Sequence, residues 1–163
     1  MNKVRWLAKQ CLALVTLIWS ATSLAEVSFT VSNAWVREAP PNAEVSAAYL
    51  TIHNQTSHAH SLVGVSSPQF QKTELHRSMV VDGQERMQQI KTLAIKAHGS
   101  MELKPGGYHL MLIKPLKSLN AGDAVELKLQ FDDAQQITVQ APIRNIDDSD
   151  EAPHHDDMGD MKM

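Results

Sequence analysis

The stretch Tyr108-His-Leu-Met-Leu-Ile113 places an imidazole and a thioether two residues apart, between Lys104-Pro-Gly-Gly107 and Lys114-Pro115. Turn residues on both sides bound a strand. Side chains alternate along it, so Tyr108, Leu110 and Leu112 share one face and His109, Met111 and Ile113 the other. A second pair sits upstream. Asp82-Gly83 is the strongest hairpin signal in the chain. If those two residues form the loop, Val81 faces Gln84 and His76 faces Gln89. Met87 then lies on the same face as His76, at diagonal distance; a bulge would change this register. Met79 falls on the opposite face and reads as packing, with an auxiliary place at the lip of the site as the alternative.

The donors left to such a set decide the chemistry. The single cysteine, Cys11, lies in a segment read as a leader: Lys3, Arg5 and Lys9 start it, CLALVTLIW follows at 11–19, and Ser23-Leu24-Ala25 offers small residues at a cleavage site. The apolar run is short for a membrane span. Lys9-Gln10, rather than small residues, precede Cys11, which argues against lipid attachment there. The mature chain is expected to begin near Glu26 with neither thiol nor disulfide, as an exported protein held by its core alone. Its soft and borderline donors are His53, His58, His60, His76, Met79, Met87, His98, Met101, His109 and Met111, with more in the tail. Thioethers favour Cu(I), imidazole suits Cu(I), Cu(II) and zinc, and two thioethers make a poor zinc shell. His76, Met87, His109 and Met111 together therefore point to Cu(I). Taken singly, each has a plainer reading as core filler or a solvated histidine. His53, His58 and His60 surround the Asn54–Ser57 turn and read as loop histidines, although the His58-x-His60 spacing suits chelation.

These positions need a rigid scaffold. Short apolar or alternating runs at 27–31, 47–53, 60–65, 72–76, 86–90, 100–103, 108–113, 124–131 and 136–139 are separated by turn-like pieces such as Ala39-Pro-Pro-Asn and Asn120-Ala-Gly-Asp. Without helical periodicity, they predict an all-β antiparallel sandwich or Greek-key barrel over residues 26–146. Trp35, following an alternating strand, and Tyr108 read as core aromatics. Residues 147–163, DDSDEAPHHDDMGDMKM, hold seven acidic residues and no apolar period, and read as a disordered tail. His154 and His155 beside Asp156 and Asp157 suit Cu(II), and Met158, Met161 and Met163 suit Cu(I), so the tail is a candidate second metal site.

Charge and missing motifs narrow the function. Without Lys3, Arg5 and Lys9, 12 basic residues face 18 acidic ones, a formal charge of −6 that argues against nucleic acid and is compatible with attracting cations. A blue-copper electron carrier needs a cysteine thiolate. A copper oxygenase using its terminal amine needs His at the mature start, where Glu26 is expected. Neither Gly-x-Ser-x-Gly nor His-Glu-x-x-His occurs. No enzyme class is supported.

The spacing His76-x10-Met87-x21-His109-x-Met111 resembles the H-x10-M-x21-H-x-M motif of the periplasmic copper chaperones of the PCuAC family. Asn33-Ala-Trp-Val-Arg37 with Pro40-Pro41, Ala47-Ala-Tyr-Leu-Thr51, Glu74-Leu-His76 and Leu103-Lys-Pro-Gly-Gly-Tyr-His-Leu-Met111 fit it too, so the resemblance covers about residues 26–143. It implies a cupredoxin-like β-sandwich whose four motif residues form a solvent-accessible Cu(I) site. It also implies delivery of copper to the copper-site subunit of cytochrome c oxidase, alongside Sco-type thiol proteins. A monomer in the periplasm is expected. The alternative, a protein that buffers or sequesters copper without delivering it, would carry the same site.

Overall fold

The computed structural model describes residues 28–145. The expected leader (1–25) and tail (147–163), with His154, His155, Met158, Met161 and Met163, lie outside the described residues.

Ten strands and no helix make up the described chain: β1 Phe29–Arg37, β2 Val45–Asn54, β3 His60–Ser66, β4 Phe70–Val81, β5 Gln84–Gln89, β6 Leu93–Ile95, β7 Ser100–Leu103, β8 Tyr108–Pro115, β9 Ala124–Phe131 and β10 Gln136–Arg144. Each run expected from the sequence lies within or across one of them, and Leu93–Ile95 adds a strand too short to show a period. One layer runs β5-β4-β8-β2-β1 with β7 also on β2; the other runs β10-β9-β3-β6. This is the cupredoxin-like β-sandwich. It departs from purely antiparallel pairing at one place: β1 and β10 pair parallel at Val36–Ile143 and Arg37–Arg144, joining the layers.

Period-two alternation builds the core. Leu50, Ile52, Leu110 and Leu112 from the first layer and Leu62, Val125, Leu127, Leu129 and Phe131 from the second are buried in one cluster. Phe29 stacks on Phe131 with ring centroids 3.8 Å apart. Each such aliphatic or aromatic side chain contributes about 1.5–3 kcal/mol by leaving water.

Three local features position the outer face of the first layer. The β4–β5 hairpin turns at Asp82-Gly83, both left-handed at φ 54° and 74°, which is the primed turn that suits strand twist. Its register pairs Val81 with Gln84, Ser78 with Met87 and His76 with Gln89, as the two-residue loop predicts. The Lys104–Gly107 turn lets β7 pair with Leu50–His53 of β2 and β8 with Val45–Ala48 along the same side. In β1 the pairing with β2 shifts between Ser32 and Trp35, where Asn33 has φ 53°. Such a bulge reverses the faces that follow it.

That reversal corrects one expectation. Unbroken alternation from Phe29 and Val31 would turn Trp35 inward. Instead Val36 is buried inside, and half-buried Trp35 lies on the outer face against Tyr49, ring centroids 4.5 Å apart.

Candidate metal centre

His76 and His109 are direct partners across the β4–β8 ladder, and Glu74 and Met111 form the next outward-facing pair along it. Partnered residues share a face. The imidazole centroids are 5.8 Å apart with the rings inclined by 42°. On the β5 side, Met87 pairs with Ser78, two residues beyond His76, which puts it on this same face. On the β2 side, Ala47 pairs with Met111, and Tyr49 lies 6.4 Å from His109 between ring centroids. Three adjacent strands therefore carry His76, Met87, His109 and Met111 on one face, with a Trp35–Tyr49 wall beside them.

The face is graded in exposure. His109 is buried at 4% exposure, Met111 is half-buried and Met87 is 56% exposed. His109 thus differs from the outward-looking position that alternation alone predicts: the tyrosine and the neighbouring strand cover it. Met87 marks the solvent-exposed edge of this face.

Each imidazole has one nitrogen engaged. His76 Nε2 lies 2.8 Å from Glu74 Oε2, while His76 Nδ1 is buried and has no hydrogen-bond partner. His109 Nδ1 lies 3.3 Å from the Gly107 carbonyl, which assigns the proton to Nδ1 and leaves Nε2 as a lone-pair donor. Burial lowers the His109 pKa below its ordinary value; the Gly107 contact opposes this and His76 adds to it. A neutral imidazole is the form that binds metal. Lys72 first, and then His76, hold the Glu74 carboxyl below the usual carboxylate range.

A buried, unpartnered ring nitrogen normally costs stability. Here it belongs to a ring that stands beside a second imidazole across the ladder, on a face that also bears two thioethers. That donor chemistry fits a soft monovalent cation. Sequence reasoning missed Glu74 and Tyr49 as parts of this face. The offset of two between Glu74 and His76 is the signal that could have found the carboxylate, because residues i and i+2 share a face.

The other histidines are elsewhere. His60 Nδ1 lies 2.9 Å from Asp132 Oδ1 and 3.7 Å from Asp133 Oδ2, and Asp132 also accepts from the Ser61 amide at 2.9 Å, so the group ties β3 to the β9 end. His53 bonds Ser32 and His58 bonds Ser57. The His58-x-His60 spacing therefore brings His60 to the aspartates, while His58 is engaged by its own neighbour. Met79 pairs with Arg86 on the opposite face, and Met101 packs on the core.

The LpqE-like family matches residues 29–143. Lxx21020 of Leifsonia xyli subsp. xyli, a lipoprotein by name, is 31% identical over 122 residues, covering 74% of this chain and 72% of that protein. RP573 of Rickettsia prowazekii is 32% identical over 101 residues, covering 61% of this chain and 56% of that one. Among solved structures, the copper-bound PCuAC domain of PmoF2 has a TM-score of 0.62 at 20% identity, covering 73% of this chain and 94% of that one. The Cu(I) form of DR1885 from Deinococcus radiodurans has a TM-score of 0.55 at 28% identity, covering 69% and 75%. The chain belongs to the LpqE-like family, which is the PCuAC family of the sequence comparison.

Proposed function

We propose that this chain is a copper chaperone of the exported compartment that captures Cu(I) with His76, Met87, His109 and Met111 and passes it on by ligand exchange. The observation that carries the reading is the buried Nδ1 of His76, unpartnered and opposite His109, on the face that also bears the two methionines. The copper-bound neighbours support it: the PmoF2 domain is a copper-bound fold relative, and DR1885, 28% identical, has a Cu(I) form. Four neutral ligands hold a cuprous ion without the grip of thiolates. The exposure gradient gives the transfer an order. Met87, at the solvent rim, is the ligand an incoming donor displaces first; buried His109 lets go last.

In this reading the acceptor presents thiolate or imidazole ligands, as a Sco-type protein or the copper-site subunit of cytochrome c oxidase would. The leader is removed near Glu26 and the protein works in the periplasm; N-terminal sequencing of exported protein tests this, and a start upstream of Cys11 contradicts it. The tail, through His154, His155, Met158, Met161 and Met163, supplies a second, weaker copper site favouring Cu(II). Truncation after Ile146 should reduce copper stoichiometry and Cu(II) affinity, and unchanged values would end that part of the reading.

Delivery is tested in a deletion strain at limiting copper. Loss of oxidase copper, restored by the wild-type gene and not by a His109→Ala allele, is expected. Full oxidase copper in the deletion strain, with poor survival at excess copper instead, would indicate storage.

A further inference from the structure

The two imidazoles of the site offer different nitrogens, and a carboxylate outside the four-residue set is what makes them differ. Lys72, Glu74 and His76 lie at successive i, i+2 positions on one face of β4. Glu74 divides its oxygens: Oε1 to the Lys72 ammonium at 2.5 Å, Oε2 to His76 Nε2 at 2.8 Å. Its side chain is only 10% exposed and it stands opposite Met111 in the ladder. The carboxylate is therefore fixed from both sides and accepts the proton of His76 Nε2. The nitrogen left over is Nδ1, the one buried side-chain polar atom without a partner among the described residues. At His109 the arrangement is reversed, since Nδ1 faces the Gly107 carbonyl and Nε2 is free.

We propose that Glu74 is a positioning residue for copper capture, holding the His76 ring so that Nδ1 meets the metal while Nε2 stays protonated against the carboxylate. The inference rests on the reading of His76 as a copper ligand. A carboxylate behind a ligating histidine fixes the tautomer and ring orientation and raises the basicity of the ligating nitrogen. Glu74 is not itself the ligand: both of its oxygens are engaged, and a hard oxygen suits Cu(I) poorly.

The test uses the full mature chain, 15N-labelled, with Cu(I) as the probe. Ring-nitrogen spectra of His76 should show Nε2 protonated with and without Cu(I), and Nδ1 shifting on copper addition; His109 should show the converse. Perturbation of His76 Nε2 by copper, with Nδ1 unmoved, overturns the proposal, and this readout requires no variant to fold. In competition with a chromophoric Cu(I) chelator, Glu74→Ala should weaken binding about 10–100-fold. Glu74→Gln, which keeps an acceptor oxygen, should recover most of that loss. Wild-type affinity in Glu74→Ala also overturns the role of Glu74. His76→Ala separates the two levels: if it loses Cu(I) while Glu74→Ala does not, only the positioning role falls, whereas wild-type affinity in His76→Ala removes the copper-site reading itself.

Discussion

His76 and His109 face each other as a registered pair of the β4–β8 ladder, with ring centroids 5.8 Å apart. The pairing joins residues thirty-three positions apart in sequence and makes the site a property of the sheet, not of a loop. Sites on rigid strands hold their geometry better than sites on loops. The hairpin turn at Asp82-Gly83 and the Lys104–Gly107 turn are the two devices that fix the register, one for Met87 and one for His109.

Removing a ligand should cost more than removing a group that orients one. His109→Ala and Met87→Ala should each reduce Cu(I) affinity in chelator competition, His109→Ala by more than about 100-fold, beyond the range usual for supporting partners. Far-ultraviolet dichroism should be unchanged in Met87→Ala, because that side chain is 56% exposed. Wild-type binding by both variants would defeat the assignment.

Burial of His109 has a pH consequence. Its folded pKa lies below the ordinary 6.5, chiefly through burial. As pH falls through 6.5 the unfolded chain takes up the proton first, so the stabilisation present above 6.5 is lost progressively down to the folded value. The melting temperature of the copper-free protein should therefore drop on acidification through this window more steeply than that of His109→Leu. Parallel curves for the two proteins would contradict the burial seen here.

Trp35 offers an optical reporter. It is the one tryptophan beyond the expected leader, and its tilted ring contact with Tyr49 links it to the face that carries His109. Cu(I) titration should change Trp35 fluorescence with an endpoint of one equivalent at the core site. Tyr49→Ala should shrink that change. An unaltered emission across the titration would place the metal elsewhere.

Stability and copper binding should separate at Asn54. This buried side chain donates to the carbonyls of His58 at 2.7 Å and Lys96 at 3.1 Å, and accepts from the Thr56 amide at 2.9 Å. It lies seven residues along β2 from Ala47, roughly 23 Å at strand rise. Asn54→Ala removes these part-buried hydrogen bonds, each worth about 0.5–1.5 kcal/mol net. Denaturant midpoints should fall while Cu(I) affinity stays at the wild-type value; a matching loss of affinity would show that the two ends of the sandwich are coupled.

Much of this was legible in the residues. Alternation in Tyr108–Ile113 and the Asp82-Gly83 turn were enough to put His109 with Met111 and His76 with Met87, because strand period and a two-residue loop are local rules. What remained hidden depends on non-local pairing. The His76–His109 partnership follows from β4 lying beside β8, which neither strand encodes alone. The burial of His109 follows from Tyr49 and β2. The turning of Trp35 onto the site face follows from a one-residue bulge at Asn33, where asparagine tolerates the positive φ but the pairing with β2 decides that the strand takes up the extra residue. Asn54 read as part of a turn, and its role in tying that turn to Lys96 emerges only when the β6–β7 segment is packed against it.

The most direct test of the central claim is X-ray absorption at the copper edge of the mature protein loaded with one equivalent of Cu(I). The account predicts a three- or four-coordinate cuprous spectrum with two imidazole nitrogens and thioether sulfur in the first shell, the sulfur contribution falling in Met111→Leu and the imidazole contribution in His76→Ala. A first shell of nitrogen and oxygen alone, unchanged in both variants, would contradict it.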